Sequence, residues 1–136
     1  MKSKRLGGDG TRHVLVFDKG DEVVEQLLAF AEQEQVTAAS FSGIGAFSDV
    51  TLGFFERKDY KRIPLAEQVE VLTLAGDIAV KDGEPQVHAH VVVGKADGTA
   101  WADISSRATS GRRSSSSSSS RRTSGDARSM RRRVCH

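Results

Sequence analysis

Cysteine is almost absent from this 136-residue chain: Cys135 stands alone, second from the end. Neither a disulfide framework nor a cysteine-rich zinc site is available, which argues against redox chemistry. Long apolar runs are missing as well. No stretch approaches the roughly 20 consecutive apolar residues that a membrane-spanning helix needs. The start, Met1-Lys2-Ser3-Lys4-Arg5, leads into Gly7, Gly8 and Gly10 rather than an apolar signal core. The expectation is a cytoplasmic protein with no membrane partner. The length suits one domain with a single core.

A basic surface is missing from the part of the chain that could fold. Residues 1–101 carry 11 Lys+Arg against 16 Asp+Glu, net −5, whereas residues 102–136 carry 9 Arg, no Lys and 2 Asp, net +7. The formal net charge of +2 therefore hides two opposed halves. An acidic domain has no electrostatic footprint for phosphate, so the overall basicity says nothing about nucleic-acid binding by the folded part.

Hydrophobic patterning is confined to the acidic part. His13-Val-Leu-Val-Phe17, closed by Lys19-Gly20, reads as a buried strand. From Asp21, a candidate N-cap, Val23, Val24, Leu27, Leu28 and Ala31 recur at helical spacing, which predicts one amphipathic helix to about Gln35. Ala38–Ser42 and Val50–Phe55 read as strands flanking a tight turn at Gly43-Ile-Gly-Ala-Phe47, and Lys58–Ile63 as a polar connection ending at Pro64. Gln68–Ala75, Ile78–Val80 and Val87–Val93 follow as strands, punctuated by turns at Gly76-Asp77, Asp82-Gly83 and Asp97-Gly98. The predicted fold class is α/β in the α+β sense: a mostly antiparallel sheet packed by one main helix. Three regions are expected: a flexible N-terminus over 1–11, the domain over 12–101, and a disordered Arg/Ser-rich tail over 102–136. The tail has too few apolar side chains to offset ordering entropy of roughly 1–2 kcal/mol per residue.

Four ordered segments carry a family likeness: Arg12-His-Val-Leu-Val-Phe-Asp-Lys-Gly-Asp-Glu22, Gly43-Ile-Gly-Ala-Phe47, Glu70-Val-Leu-Thr-Leu-Ala-Gly-Asp-Ile78 and Asp82-Gly-Glu-Pro-Gln-Val-His-Ala-His-Val91. In order and spacing they resemble prokaryotic members of the plants-and-prokaryotes-conserved (PPC) domain family. The resemblance implies a bacterial, non-catalytic DNA-binding or DNA-associated protein that assembles as a homotrimer. It also implies a histidine cluster suited to zinc or another divalent metal.

That family continues with Gly-Gly-His-Leu-Leu-Glu and a closing strand rich in Leu and Val, and neither is present after Trp101. Codon arithmetic suggests why. The last base of TGG, the only Trp codon, plus the first two of Ala102 reads GGC, glycine. Continuing in that frame, Ala102–Arg107 permits Gly-His-Leu-Leu-Glu, and Ser114–Ser120 permits Leu-Glu-Leu-Val-Val-Val-Glu. The tail thus reads as a frameshift, an out-of-frame version of the family's own C-terminus. The competing reading is a genuine tail whose arginines, Arg112, Arg113, Arg121, Arg122, Arg131, Arg132 and Arg133, bind nucleic acid by charge.

His88 and His90 are the sharpest candidates for chemistry. One residue apart on a strand, they leave the same face about 6.6 Å apart along it, while Val87, Ala89 and Val91 take the other. A metal needs a third protein ligand. The resemblance places it in Gly-Gly-His, at the position held here by Ile104, so polar packing at a subunit interface is the competing reading. His13 reads as structural. Gly43 and Gly45 lack the third glycine of a dinucleotide fingerprint and read as a structural turn. Ser42 and Ser48 have no placed base, and Glu67 and Glu70 read as a solvated strand edge. The alternative to a DNA-associated protein is a metal-dependent small-ligand-binding or enzymatic trimer, or a frameshifted product of impaired function.

Overall fold

Eight strands and one helix, the helix set by a single 3.6-residue apolar row, make up a computed structural model that describes residues 1–7, 11–57, 59–111 and 114–120. In chain order these are β1 (Lys2–Leu6), β2 (Thr11–Phe17), α1 (Val23–Gln33), β3 (Ala38–Glu56), β4 (Asp59–Leu65), β5 (Val69–Lys81), β6 (Glu84–Gly94), β7 (Ala100–Ser110) and β8 (Ser114–Ser120). The expected class, a mostly antiparallel sheet with one main helix, is the one observed.

The 19-residue β3 is the spine. One flank of it carries β5 along Ala38–Phe47 and then β4 along Val50–Glu56. The other flank carries β8 along Ser40–Ile44 and then β7 along Phe47–Gly53. Because β6 pairs with both β5 and β7, the circuit β3-β5-β6-β7 closes on itself. The β1–β2 pair joins the rest of the sheet through β8.

The helix covers the inner face with Val23, Leu27, Phe30 and Ala31, and the core is completed by Leu15, Phe17, Phe41, Phe47, Val50, Leu52, Val91 and Val93. Its N-cap is Glu22, whose carboxylate accepts from the Glu25 N–H at 2.7 Å. The predicted cap, Asp21, instead accepts from the Asp18 N–H at 2.9 Å and meets the Met1 ammonium at 2.8 Å. The helix stops two residues before the expected end, at Gln33, because Gln35 turns left-handed with φ 51°. The Asp82-Gly83 turn is as expected: both residues have positive φ, 55° and 87°, which suits the primed turn joining Lys81 directly to Glu84.

Five further expectations need correction. Residues 2–6 of the supposedly flexible N-terminus form β1, paired with β2 from Lys2↔Val16 to Leu6↔Arg12; alternating Lys, Ser and Arg is compatible with a charged sheet edge. The segment read as a turn at Gly43-Ile-Gly45 lies inside β3, where a shift in register against β5 makes it a bulge. The polar connection at 58–63 is strand from Asp59 on, held by its ladder to β3. Gly76-Asp77 is not a turn but mid-strand in β5.

The fifth correction concerns the tail. Residues 102–110 lie in β7 and residues 114–120 form β8, where no regular structure was expected. That expectation weighed side-chain apolarity alone, whereas both segments pair their backbones on two sides: β7 with β3 and β6, β8 with β2 and β3. The Ser110 N–H also donates to the Asp21 carbonyl at 2.8 Å, and the Gly111 N–H to the Ala46 carbonyl at 3.0 Å. Arg112, Arg113, Arg121, Arg122, Arg131, Arg132 and Arg133 lie outside the described residues, as does His136.

Candidate functional site

Strand alternation on β6 turns Ala89 and Val91 into the core and leaves His88 and His90 exposed on the outer face, as their spacing predicts. The two rings meet edge to face, centroids 4.9 Å apart and planes at 79°. Their Nε2 atoms are 3.1 Å apart, so one Nε2–H donates and the other Nε2 accepts. The neighbouring strands complete the row. Asp77 of β5 is in register with His88, and Ile104 of β7 is in register with His90. The position that family likeness assigns to a third imidazole is thus directly across from the pair, but isoleucine has no donor atom. Among the described residues no group of three His, Cys, Asp or Glu converges on a common point. Among the described residues the donor set is a bidentate pair, one protein ligand short of a zinc site.

Asp77 is the neighbour that sequence reading missed. The signal was obscured because Gly76-Asp77 looks like a turn, and only the continuous β5–β6 ladder puts it opposite His88.

The remaining candidates are structural. His13 is buried and packs edge to face on Phe30 at 5.0 Å. Ser48 Oγ lies 3.0 Å from Asp49 Oδ2 and 3.3 Å from the Thr109 carbonyl, and the Thr109 hydroxyl lies 3.2 Å from Asp49 Oδ1; this cluster ties β3 to β7, with the Asp49 carboxylate accepting from both hydroxyls. Glu67 pairs with Lys95 at 2.8 Å, which raises the Lys95 pKa chiefly through that hydrogen bond. Glu67 and Glu70 are both exposed.

Exposed cations include Lys2, Lys4 and Arg5 on β1, Arg12 and Lys19 around β2, Lys81 at the end of β5, and Arg57, Lys61 and Arg62 on the β3–β4 hairpin. The same hairpin exposes Phe54, Phe55 and Tyr60. Two consecutive phenylalanines on one strand were a readable sign that both faces of the hairpin are apolar. Among the described residues no helix is long and apolar enough to cross a membrane.

Comparison with known proteins agrees with the fold. The family model of the Plants and Prokaryotes Conserved (PCC) domain matches residues 4–104. The chain is similar to a plant- and prokaryote-conserved protein from Pyrococcus horikoshii, at 26% identity and TM-score 0.78 over 88% of this chain and 81% of that one. It is similar to a "putative DNA-binding protein" from Ralstonia eutropha JMP134, at 29% identity and TM-score 0.79 over 88% and 83%. A metal-containing protein from Archaeoglobus fulgidus matches at 27% identity and TM-score 0.76 over 88% and 84%. No protein of curated function matches the sequence.

Proposed function

We propose, from the premise that this chain belongs to the Plants and Prokaryotes Conserved domain family, that it is a non-catalytic, DNA-associated cytoplasmic protein working as a homotrimer. The observation that carries the DNA reading is the likeness to the Ralstonia protein, which spans most of both chains. Phosphate contact falls to the arginines after residue 111, because residues 1–101 are net −5 and repel a polyanion. The test is fluorescence anisotropy with a labelled duplex from 50 to 200 mM salt. Affinity should fall steeply across that range, by counterion release; salt-insensitive binding, or none at low salt, would overturn the reading. Size-exclusion chromatography with light scattering tests the assembly, and a monomer at all concentrations removes it.

A second reading is that the chain after Trp101 is translated out of frame, and the register of β8 favours it. Ser114, Ser116 and Ser118 stand opposite Phe17, Leu15 and His13 of β2, and Ser118 also opposite Phe41 of β3. All four of those partners are buried. The alternate frame permits Leu, Leu and Val at these three positions and Glu at 115, between them. The same frame permits histidine or tyrosine at 104, across from His90. Sequencing the coding DNA over codons 95–136 from fresh template decides the matter. A protein made in the restored frame should bind one zinc per chain and lose it on His88→Ala; a restored protein without metal affinity would remove the metal-dependent alternative.

A further inference from the structure

The β3–β4 hairpin outruns the body of the protein. The β3–β7 ladder ends at Gly53↔Ile104, while β3 and β4 stay paired to Glu56↔Asp59. For three residues on each strand, about 10 Å at strand rise, the ribbon has no other strand beside it among the described residues. Both of its faces are apolar there. Phe54 continues the row of Val50 and Leu52, which are 1% exposed, yet is itself 52% exposed. On the opposite face Phe55 and Tyr60 pack on each other with centroids 5.1 Å apart and are also about half exposed. Half-exposed aromatics grouped on a free ribbon mark a contact surface. The ribbon's described ionic residues are Arg57 and Lys61 against Glu56 and Asp59, with Arg62 at its base, so it does not share the acidic excess of the rest of the domain.

A receptor of opposite character lies elsewhere on the same chain. The start of β5 and the turn between β6 and β7 enclose an open groove of about 400 Å³ whose lining includes Val69, Leu72, Ala96 and Ala100 together with the polar Glu70 and Lys95. Leu72 is 55% exposed beside it, and the carboxylates around it are Glu67, Glu70 and Asp97, with Lys95 held by Glu67. The chain does not fill this groove with its own ribbon, whose aromatics remain exposed. We infer that the Phe54–Lys61 ribbon of one copy docks into the Leu72–Gly94 groove of a second copy, with Lys61, the register partner of Phe54, against Glu70. Ribbon and groove are different patches, so the contact is head to tail. Such contacts build a ring where the rotation closes, as a trimer requires, and not a two-fold dimer. The inference rests on the homotrimer reading and supplies the surfaces that would build it. Charge and apolar complementarity favour a second copy over nucleic acid, since the acidic body stands behind the ribbon.

The test is a charge swap on the full chain. Lys61→Glu and Glu70→Lys, each folded by circular dichroism, should each raise the dissociation midpoint in a light-scattering dilution series by ~10-fold or more. The double variant should recover most of that loss. If the charge variants do not fold, Phe54→Ser and Leu72→Ser replace them, and each must raise the midpoint. An assembled wild type with an unmoved Lys61→Glu midpoint overturns the ribbon while leaving the trimer standing. A double variant no better than the singles overturns the pairing. A wild type that is monomeric throughout removes both the trimer and this inference. Unchanged assembly with weaker duplex binding in Lys61→Glu would hand the ribbon to nucleic acid, against the proposal.

Discussion

Gly76 has no room for a side chain. A Cβ built there would lie 2.2 Å from the His88 carbonyl oxygen and 2.6 Å from Phe41 Cζ, so β5 can pass under the Phe41 ring only as glycine. Gly76→Ala should cost about 1–3 kcal/mol or more by overpacking, measured by denaturant unfolding. Phe41→Leu in the same background should relieve only part of it, because the backbone oxygen remains. Charge at single residues sets a pH window. The Met1 amino group and the Asp18 N–H hold Asp21 below its ordinary 3.8, and the Thr99 hydroxyl and N–H do the same for Asp97. Hydrogen bonding to Asp21 in turn raises the Met1 amino group above 8.0. Depressed aspartates favour folding above about pH 4, and that contribution is lost as pH falls through their folded values; the raised amine favours folding below about pH 8, and its share is lost as pH rises through its folded value. Unfolding midpoints should therefore peak between these limits. Asp21→Asn should flatten both shoulders.

At the scale of elements, the serine strand decides how well the sheet holds together. Positions 116 and 118 stand in register with the buried Leu15 and Phe41 respectively. Ser116→Leu and Ser118→Val should each raise stability by about 1–2 kcal/mol through added apolar burial, read from thermal or denaturant melts; a loss at either site would contradict the register. The helix, β2, β6 and the Asp82-Gly83 hairpin were legible in the sequence because an apolar period or a turn dipeptide announces each of them. The histidine pair was legible for the same reason, since alternation alone puts His88 and His90 on one face. The strands at Lys2–Leu6, Asp59–Leu65 and Ser114–Ser120 were not legible. Their side chains carry no such period, and they exist through backbone ladders to partners distant in sequence. Gly43-Ile-Gly45 and Gly76 misled for a related cause: glycine marks a bulge or a close approach as readily as a turn.

For the whole molecule, the separation of charge is the property with the widest reach. A net −5 over residues 1–101 beside +7 over residues 102–136 means that duplex affinity should track the arginines and not the domain. Replacing Arg131, Arg132 and Arg133 together by Gln should lower the slope of log affinity against log salt by about 2–3 units, measured by anisotropy titrations. An unchanged slope would place the phosphate contacts elsewhere. The closed circuit of β3, β5, β6 and β7 makes the body a unit that can be assembled once residue 110 is available. The β1–β2 pair is different, because β8 is its ladder to the rest. During synthesis the first strands made are the last to be stitched in. Residues 2–17 must wait, with an open edge, until 114–120 have left the ribosome. Translation that stalls or terminates in that interval would release a chain with two sticky borders, which makes the last described strand the point at which quality control can tell a finished molecule from an unfinished one.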